Sequence, residues 1–458
     1  MPNDPLSARE RDVLMKEPRP RRDLPLVAQG AKKHLPLAPA RAADALHRPI
    51  YAVWEITLAC DLSCRHCGSR AGRARPDELT TEECFDLVDQ LAELGCKEVI
   101  LIGGEAYLRD DCWDVVRRIR ARGMQPLITT GGRGLGAERA KAAKEAGVAS
   151  VSVSIDGGEA THDRLRGVAG SYRAALDALR YLREAGVRVS SNTQINRLSA
   201  PELPAVLETI IAHGVHSWQI QLTVPMGRAA DEPDVLLQPY DLVELFPVLG
   251  QLQDRCREAR VMLWPGNNIG YFGPLETKLR GGMPRGHMAS CGAGRSGLGI
   301  ESDGTVKGCP SLSTESWAGG NLRQHRLKDI WERATPLRYT RDRTVEDLWG
   351  FCRTCYYAEE CLGGCTWTAE TIFGKPGNNP LCHHRALEMQ RAGKRERIVQ
   401  KERAPGHPFD RGRFELVCED LPAVRETRRQ SLDPCLGCAH VSPGERIVPV
   451  PQTTSKMS

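Results

Sequence analysis

Three thiols stand close together in Cys60-Asp-Leu-Ser-Cys64-Arg-His-Cys67, at the end of the apolar run from Ile50 to Ala59. Three thiolates on one short loop can hold three irons of a cubane iron–sulfur cluster and leave the fourth iron without a protein ligand. A structural zinc site would want a closed set of four. No fourth Cys lies nearby, but His66 could complete such a set, so zinc stays open at this loop. Cys density rises again after residue 290: Cys291, Gly304-x4-Cys309, Cys352-x2-Cys355-x5-Cys361-x3-Cys365, and Cys382. Cys352-x2-Cys355 by itself is also a common zinc knuckle.

The chain has 458 residues, 41% of them hydrophobic, enough for two or three domains. Seventeen Cys in a secreted protein would read as a disulfide framework. The opening Met-Pro-Asn-Asp is not an apolar signal segment, and no run of about 18 apolar residues occurs, so the expectation is a cytoplasmic chain with metal-loaded thiols and no membrane span. A net charge of +5, from 63 Lys and Arg against 58 Asp and Glu, gives no reason to invoke nucleic acid.

The elements that position these thiols follow from the apolar pattern. Residues 1–48 carry Pro and mixed charge and read as an extended arm. Thr80-Thr81-Glu82-Glu83 is a capping box for a helix with Phe85, Val88 and Leu91 on one face. Gly95, Gly123, Gly147, Gly186 and Gly214 each follow a helical stretch and precede a short apolar run, which predicts five helix-to-strand returns. With Ile50 to Ala59 that makes six strands. Right-handed crossovers make them parallel, an α/β fold of the partial (β/α)6 TIM-like barrel type over residues 49–265. Asp241 to Arg257 reads as one more helix, Pro265 to Pro284 as a linker, residues 266–385 as linker plus a small cysteine-rich domain, and 386–458 as a basic tail. Cys84, Cys96 and Cys112 read as core filling.

Cys60-x3-Cys64-x2-Cys67 after a first strand resembles the signature of the radical S-adenosylmethionine (SAM) superfamily. The resemblance implies a 4Fe-4S cluster on Cys60, Cys64 and Cys67 whose open iron is chelated by SAM. One electron would split SAM to a 5′-deoxyadenosyl radical, with the protein binding, orienting and shielding. His66 stands where the family often has an aromatic residue beside the cofactor. Gly103-Gly104-Glu105 matches the GGE motif that meets the SAM amino group. Ser154 and Arg166 resemble the pair that binds its carboxylate, a role suited to the guanidinium fork, while Asp156 could cap the loop. Asn192 and Gln194 are candidates for the ribose, and Leu222 for the adenine. Thr129-Thr130-Gly131-Gly132 replaces the family's Thr-x-Asn-Gly, so the Asn contact is missing.

The later cysteines look like the SPASM extension, and the resemblance spans about residues 49–385. Carried over, that pattern gives Cys352, Cys355, Cys361 and Cys382 to an outer auxiliary cluster and Cys291, Cys309 and Cys365 to an inner one. The inner cluster's fourth ligand is unassigned: Cys256, His287 or a site left open to substrate. Cys418, Cys435 and Cys438 fall outside the pattern and could bind metal, shuttle electrons or do neither.

The resemblance implies hydrogen abstraction from an unactivated C–H bond, with a small electron donor such as flavodoxin or ferredoxin and, as substrate, a short ribosomal peptide. The arm is too short for the leader-gripping winged helix of many relatives. Tetrapyrrole or other small-molecule modification is the alternative. Sulfatase maturation fits less well, because Pro310 follows Cys309 where those relatives have an Asp base. A non-catalytic iron–sulfur carrier would have no use for the SAM-binding residues.

Overall fold

Alternation of buried and half-exposed side chains builds seven parallel strands: β1 (Tyr51–Thr57), β2 (Glu98–Gly103), β3 (Gln125–Thr130), β4 (Ser150–Ser154), β5 (Arg188–Ile195), β6 (Ser217–Leu222) and β7 (Met262–Pro265). This computed structural model describes residues 37–422 except 284–286 and 288–289; the arm before residue 37 and Cys435 and Cys438 lie outside the described residues. Trp54, Ile56, Val99, Leu101, Ile128, Val151, Val153, Trp218 and Ile220 turn outward into one core. Val88 and Leu91 of helix Thr81–Glu93 and Leu179 and Leu182 of helix Ser171–Glu184 meet them there. Each such side chain stabilises the fold by roughly 1.5–3 kcal/mol. The opposite, concave face carries the half-exposed set, Ile100, Ile102, Leu127 and Thr129 on one side and Ser152, Ser190, Asn192, Gln194 and Gln221 on the other.

The expected punctuation is present. Thr80 accepts from the Glu83 amide and Glu83 accepts from the Thr80 amide, closing the capping box at both ends. Gly95, Gly123, Gly147, Gly186 and Gly214 all have φ between 66° and 90°, the left-handed cap that returns the chain to the sheet.

The sheet extends beyond the six strands expected. Besides β7, β8 (Gly297–Ile300) pairs parallel with β1, and β9 (Thr305–Lys307) and β10 (Ala318–Asn321) follow antiparallel. The order is β10-β9-β8-β1-β2-β3-β4-β5-β6-β7, so the cysteine-rich half continues the barrel's own sheet. Strands of three or four residues with glycines show no period to read. The segment taken for a linker is packed: Ile269, Tyr271 and Leu279 are buried, with a short helix at Glu276–Arg280. The expectation of a tail from residue 386 fails for residues 386–420. Helix His383–Arg391 leads into a hairpin of β11 (Lys394–Glu402) and β12 (Arg413–Asp420), whose alternating charges conceal buried Glu396, Ile398 and Phe414. The end of the arm is also anchored: Asp44 is buried against Arg338 at 2.9 Å and Arg341 at 3.1 Å.

Candidate active site

The loop after β1 is tied down on every side, as a metal-holding loop must be. Cys60 N donates to Gly72 O at 3.1 Å, Ser63 N to Arg166 O at 3.1 Å and Arg65 N to Leu165 O at 2.8 Å. Arg228 grips it from after β6, donating Nε to Cys64 O at 2.7 Å and its amide to Cys67 O at 3.0 Å. Donors also reach the sulfurs: Leu62 N to Cys60 and Ala71 N to Cys67, both at 3.4 Å, and Arg166 Nη1 to Cys64 at 3.7 Å. Such donors suit metal-bound thiolates. Without a metal, burial pushes the Cys60 thiol up to about 12 and the Cys64 thiol up to about 11. No described cysteine is in a disulfide.

The strand ends bring the other expected residues to this loop. A Cβ on Gly103 would collide with Thr57 O and one on Gly104 with Ala59 O, so the two glycines let β2 close against the thiol loop itself. Glu105 is buried, and its carboxylate accepts from Thr130 Oγ1 and from Gly131 N at 2.7 Å. The turn lacking the Asn is therefore used to hold Glu105. Burial first, partly offset by these donors, lifts Glu105 to about 7.

Arg166 Nη2 pairs with wholly buried Asp156 at 2.6 Å, and His66 Nε2 lies 3.4 Å from the same Asp156 oxygen. Asp156 Oδ1 accepts from Gln194 N at 2.9 Å, and its own amide donates to His162 Nδ1 at 3.2 Å. Burial pushes both His66 and His162 down to about 4, so both rings are neutral at pH 7. Asp156 is thus more than a loop cap. It anchors the Arg166 guanidinium at the Cys64 sulfur.

Ser154 and Asn192 are opposite each other on the β4–β5 ladder, and Asn192 Oδ1 is buried without a hydrogen-bond partner. An acceptor of that kind suits a ribose hydroxyl. Leu222 does not join them. It is wholly buried with Trp218 and Ile220 in the outward-facing core, because a strand side chain two places on returns to the same face.

The later thiols fall into two groups. Cys352, Cys355, Cys361 and Cys382 line one cavity walled by Tyr271, Phe272, Phe351 and Tyr357. Asn379 N donates to Cys352 Sγ and Tyr357 N to Cys355 Sγ, both at 3.4 Å. The Arg385 guanidinium stands within electrostatic reach of Cys352 and Cys382. Cys291, Cys309 and Cys365 form the second group: Cys365 feels both others, and burial pushes it up to about 12 and Cys309 up to about 11. Of the fourth partners considered, Cys256 does not join them. It is buried in the hydrophobic core, and the His287 ring lies 5.4 Å from Phe272, which lines the other cavity. Arg228, His162 and Arg385 were not foreseen; Arg228 and His162 lie far in sequence from the thiols they serve, and Arg385, three residues after Cys382, is fixed by Glu396 on a strand not expected there.

Comparison with known proteins agrees with this geometry. A model of the radical SAM superfamily matches residues 54–196, and one of an iron–sulfur cluster-binding domain, SPASM, matches residues 291–356. An AdoMet-dependent heme synthase of Methanosarcina barkeri is 30% identical over 325 residues, 69% of this chain and 90% of its own. Mycofactocin maturase MftC of Mycobacterium tuberculosis is 29% identical over 389 residues, 84% of this chain and 93% of its own. Among solved structures, anSMEcpe with bound AdoMet and a Cp18Cys peptide superposes with a TM-score of 0.60 at 16% identity, covering 75% of this chain and 98% of that one. Streptococcus suis SuiB bound to precursor peptide SuiA gives 0.56 at 17%, covering 74% and 76%. No described helix is long and apolar enough to cross a membrane.

Proposed function

Because this chain belongs to the radical SAM superfamily and carries a SPASM domain after its barrel, we propose that it modifies a ribosomally synthesised peptide by hydrogen abstraction, forming a cross-link or altering a side chain. The cofactors are a 4Fe-4S cluster with SAM and auxiliary iron–sulfur clusters, and the bound cluster supplies the electron that cleaves SAM. Cys60, Cys64 and Cys67 hold the first cluster. Arg166, oriented by Asp156, and Ser154 take the SAM carboxylate; Gly103, Gly104 and Glu105 border its amino group; Asn192 meets the ribose; and neutral His66 packs beside them. Cys352, Cys355, Cys361 and Cys382 hold the outer auxiliary cluster, and Cys291, Cys309 and Cys365 the inner one. A flavodoxin or ferredoxin serves as electron donor.

The observation that carries the peptide reading is the concave face. Ser152, Ser190, Gln194 and Gln221 offer it neutral donors and acceptors, which match backbone amides better than they match propionate charges. The M. barkeri relative's name favours a second reading, an iron tetrapyrrole substrate. Anaerobic co-expression with short candidate peptides, read by mass spectrometry, tests the first. A mass change that needs Cys60, Cys64 and Cys67 supports it. Turnover of an iron tetrapyrrole carrying propionates, with every peptide unchanged, replaces it with the second.

A further inference from the structure

We propose that Tyr51 closes the inner auxiliary cluster, its phenol oxygen serving as the fourth ligand beside Cys291, Cys309 and Cys365. The inference rests on the iron–sulfur reading of those three cysteines. Tyr51 begins β1 and is paired in register with Gly297 of β8. A Cβ on Gly297 would lie 2.5 Å from Tyr51 Cζ and 2.7 Å from its hydroxyl, so the phenol is laid directly over this glycine. Gly297 closes the loop that starts at Cys291: its amide donates to Gly292 O at 3.3 Å and its carbonyl accepts from Gly294 N at 2.9 Å. Two residues along the same face, a Cβ on Gly299 would meet Pro310 Cα at 2.5 Å and the carbonyl carbon of Cys309 at 2.7 Å. One face of β8 therefore brings together the Tyr51 hydroxyl and both segments that carry Cys291 and Cys309.

Two other oxygens near these thiols are engaged. Tyr271 donates its hydroxyl to Asn267 Oδ1 at 2.6 Å, and the Ser311 hydroxyl bonds the Cys309 sulfur itself. The Tyr339 hydroxyl, buried beside Arg343 and Cys291 without a hydrogen bond, is the competing phenol, and Tyr339→Phe should leave the signals tested below in place. The Tyr51 hydroxyl has no hydrogen-bond partner among the described residues, and its electrostatic neighbours are Cys309 and Cys291. A ferric centre stabilises a deprotonated phenol oxygen, and tyrosinate is a known iron ligand. On binding, the phenol O–H bond breaks, an iron–oxygen bond forms and the proton leaves to water; no electron moves.

Resonance Raman spectroscopy of the reconstituted full-length protein provides the first test. Phenolate modes that shift when the protein is grown on ring-deuterated tyrosine, and vanish in Tyr51→Phe, are expected. Their absence from wild type overturns the proposal whether or not the variant folds. The second test adds carbon-13 cyanide to reduced protein saturated with SAM, which covers the first cluster's open iron. Wild type should show no carbon-13 coupling in the paramagnetic resonance spectrum, and Tyr51→Phe should gain it at unchanged iron content. Coupling in wild type means the inner site is open, and no coupling in Tyr51→Phe means the ligand is another residue; either result sinks the assignment. A preparation without iron or sulfide would instead refute the cluster reading underneath it.

Discussion

Arg166 reaches Cys64 across the mouth of the barrel, its Nη1 3.7 Å from the sulfur, while buried Asp156 holds Nη2 at 2.6 Å. A guanidinium fixed beside the first cysteine loop is placed to receive a carboxylate as well. Arg166→Ala should weaken SAM binding by about 2 kcal/mol, roughly 30-fold in Kd. Asp156→Asn should weaken it less, by freeing the guanidinium without removing it. Anaerobic calorimetry checks both, and unchanged affinity in Arg166→Ala would remove this residue from the SAM site.

Replacing Cys60, Cys64 and Cys67 together with Ala should abolish 5′-deoxyadenosine formation and reduce iron by about four per chain. Absorbance from the auxiliary clusters should persist, because Cys352, Cys355, Cys361 and Cys382 line a separate cavity. Deoxyadenosine at the wild-type rate would mean that another cluster performs the chemistry.

Glu396 accepts two bonds from Arg385, at 2.6 and 2.7 Å, and both side chains are buried behind the outer thiols. Removing one partner leaves an uncompensated buried charge, which costs about 3–5 kcal/mol. Glu396→Ala should lower the unfolding temperature and make the outer cluster lose iron first on chelation. Iron release at the wild-type rate would show that the hairpin gives this cluster no support.

The barrel was legible because its signals are local. A capping box at Thr80 and a glycine after each of five helices report themselves within four residues. The thiol groups were legible for the same reason, since Cys60 to Cys67 and Cys352 to Cys365 keep fixed spacings. What escaped was set by distant partners. Nothing near Asp156 indicates that its oxygens meet Arg166, His66 and Gln194, nor does anything near Tyr51 announce Gly297 across the ladder. β8 to β10 are too short and glycine-rich to show a period, and β11 and β12 present charges where strands usually present apolar residues. Leu222 was misplaced because a one-residue shift along a strand exchanges its two faces.

Asp44 illustrates the same limit and yields a pH prediction. It sits in a charged, Pro-bearing arm, yet it is buried among Arg41, Arg338 and Arg341 of the arm and the cysteine-rich half. Burial by itself would raise its carboxyl; hydrogen bonds from Arg41 and Arg341 and the Arg338 charge override that and hold it at about 2. The unfolded carboxyl takes its proton near pH 4, so between about pH 4 and pH 2 the unfolded state binds more protons than the folded one. Stability from this group is therefore complete above pH 4 and is lost as pH falls through 2, an amount of about 2 kcal/mol. Asp44→Asn should open the segment around residues 38–47 at neutral pH, where Ala38 N donates to Arg333 O at 3.0 Å. Faster exchange of the Ala38 amide in the variant at pH 7, with the two proteins converging only as the pH falls to about 2, is the expected result. Equal exchange at pH 7 would show that the arm is held without this carboxylate.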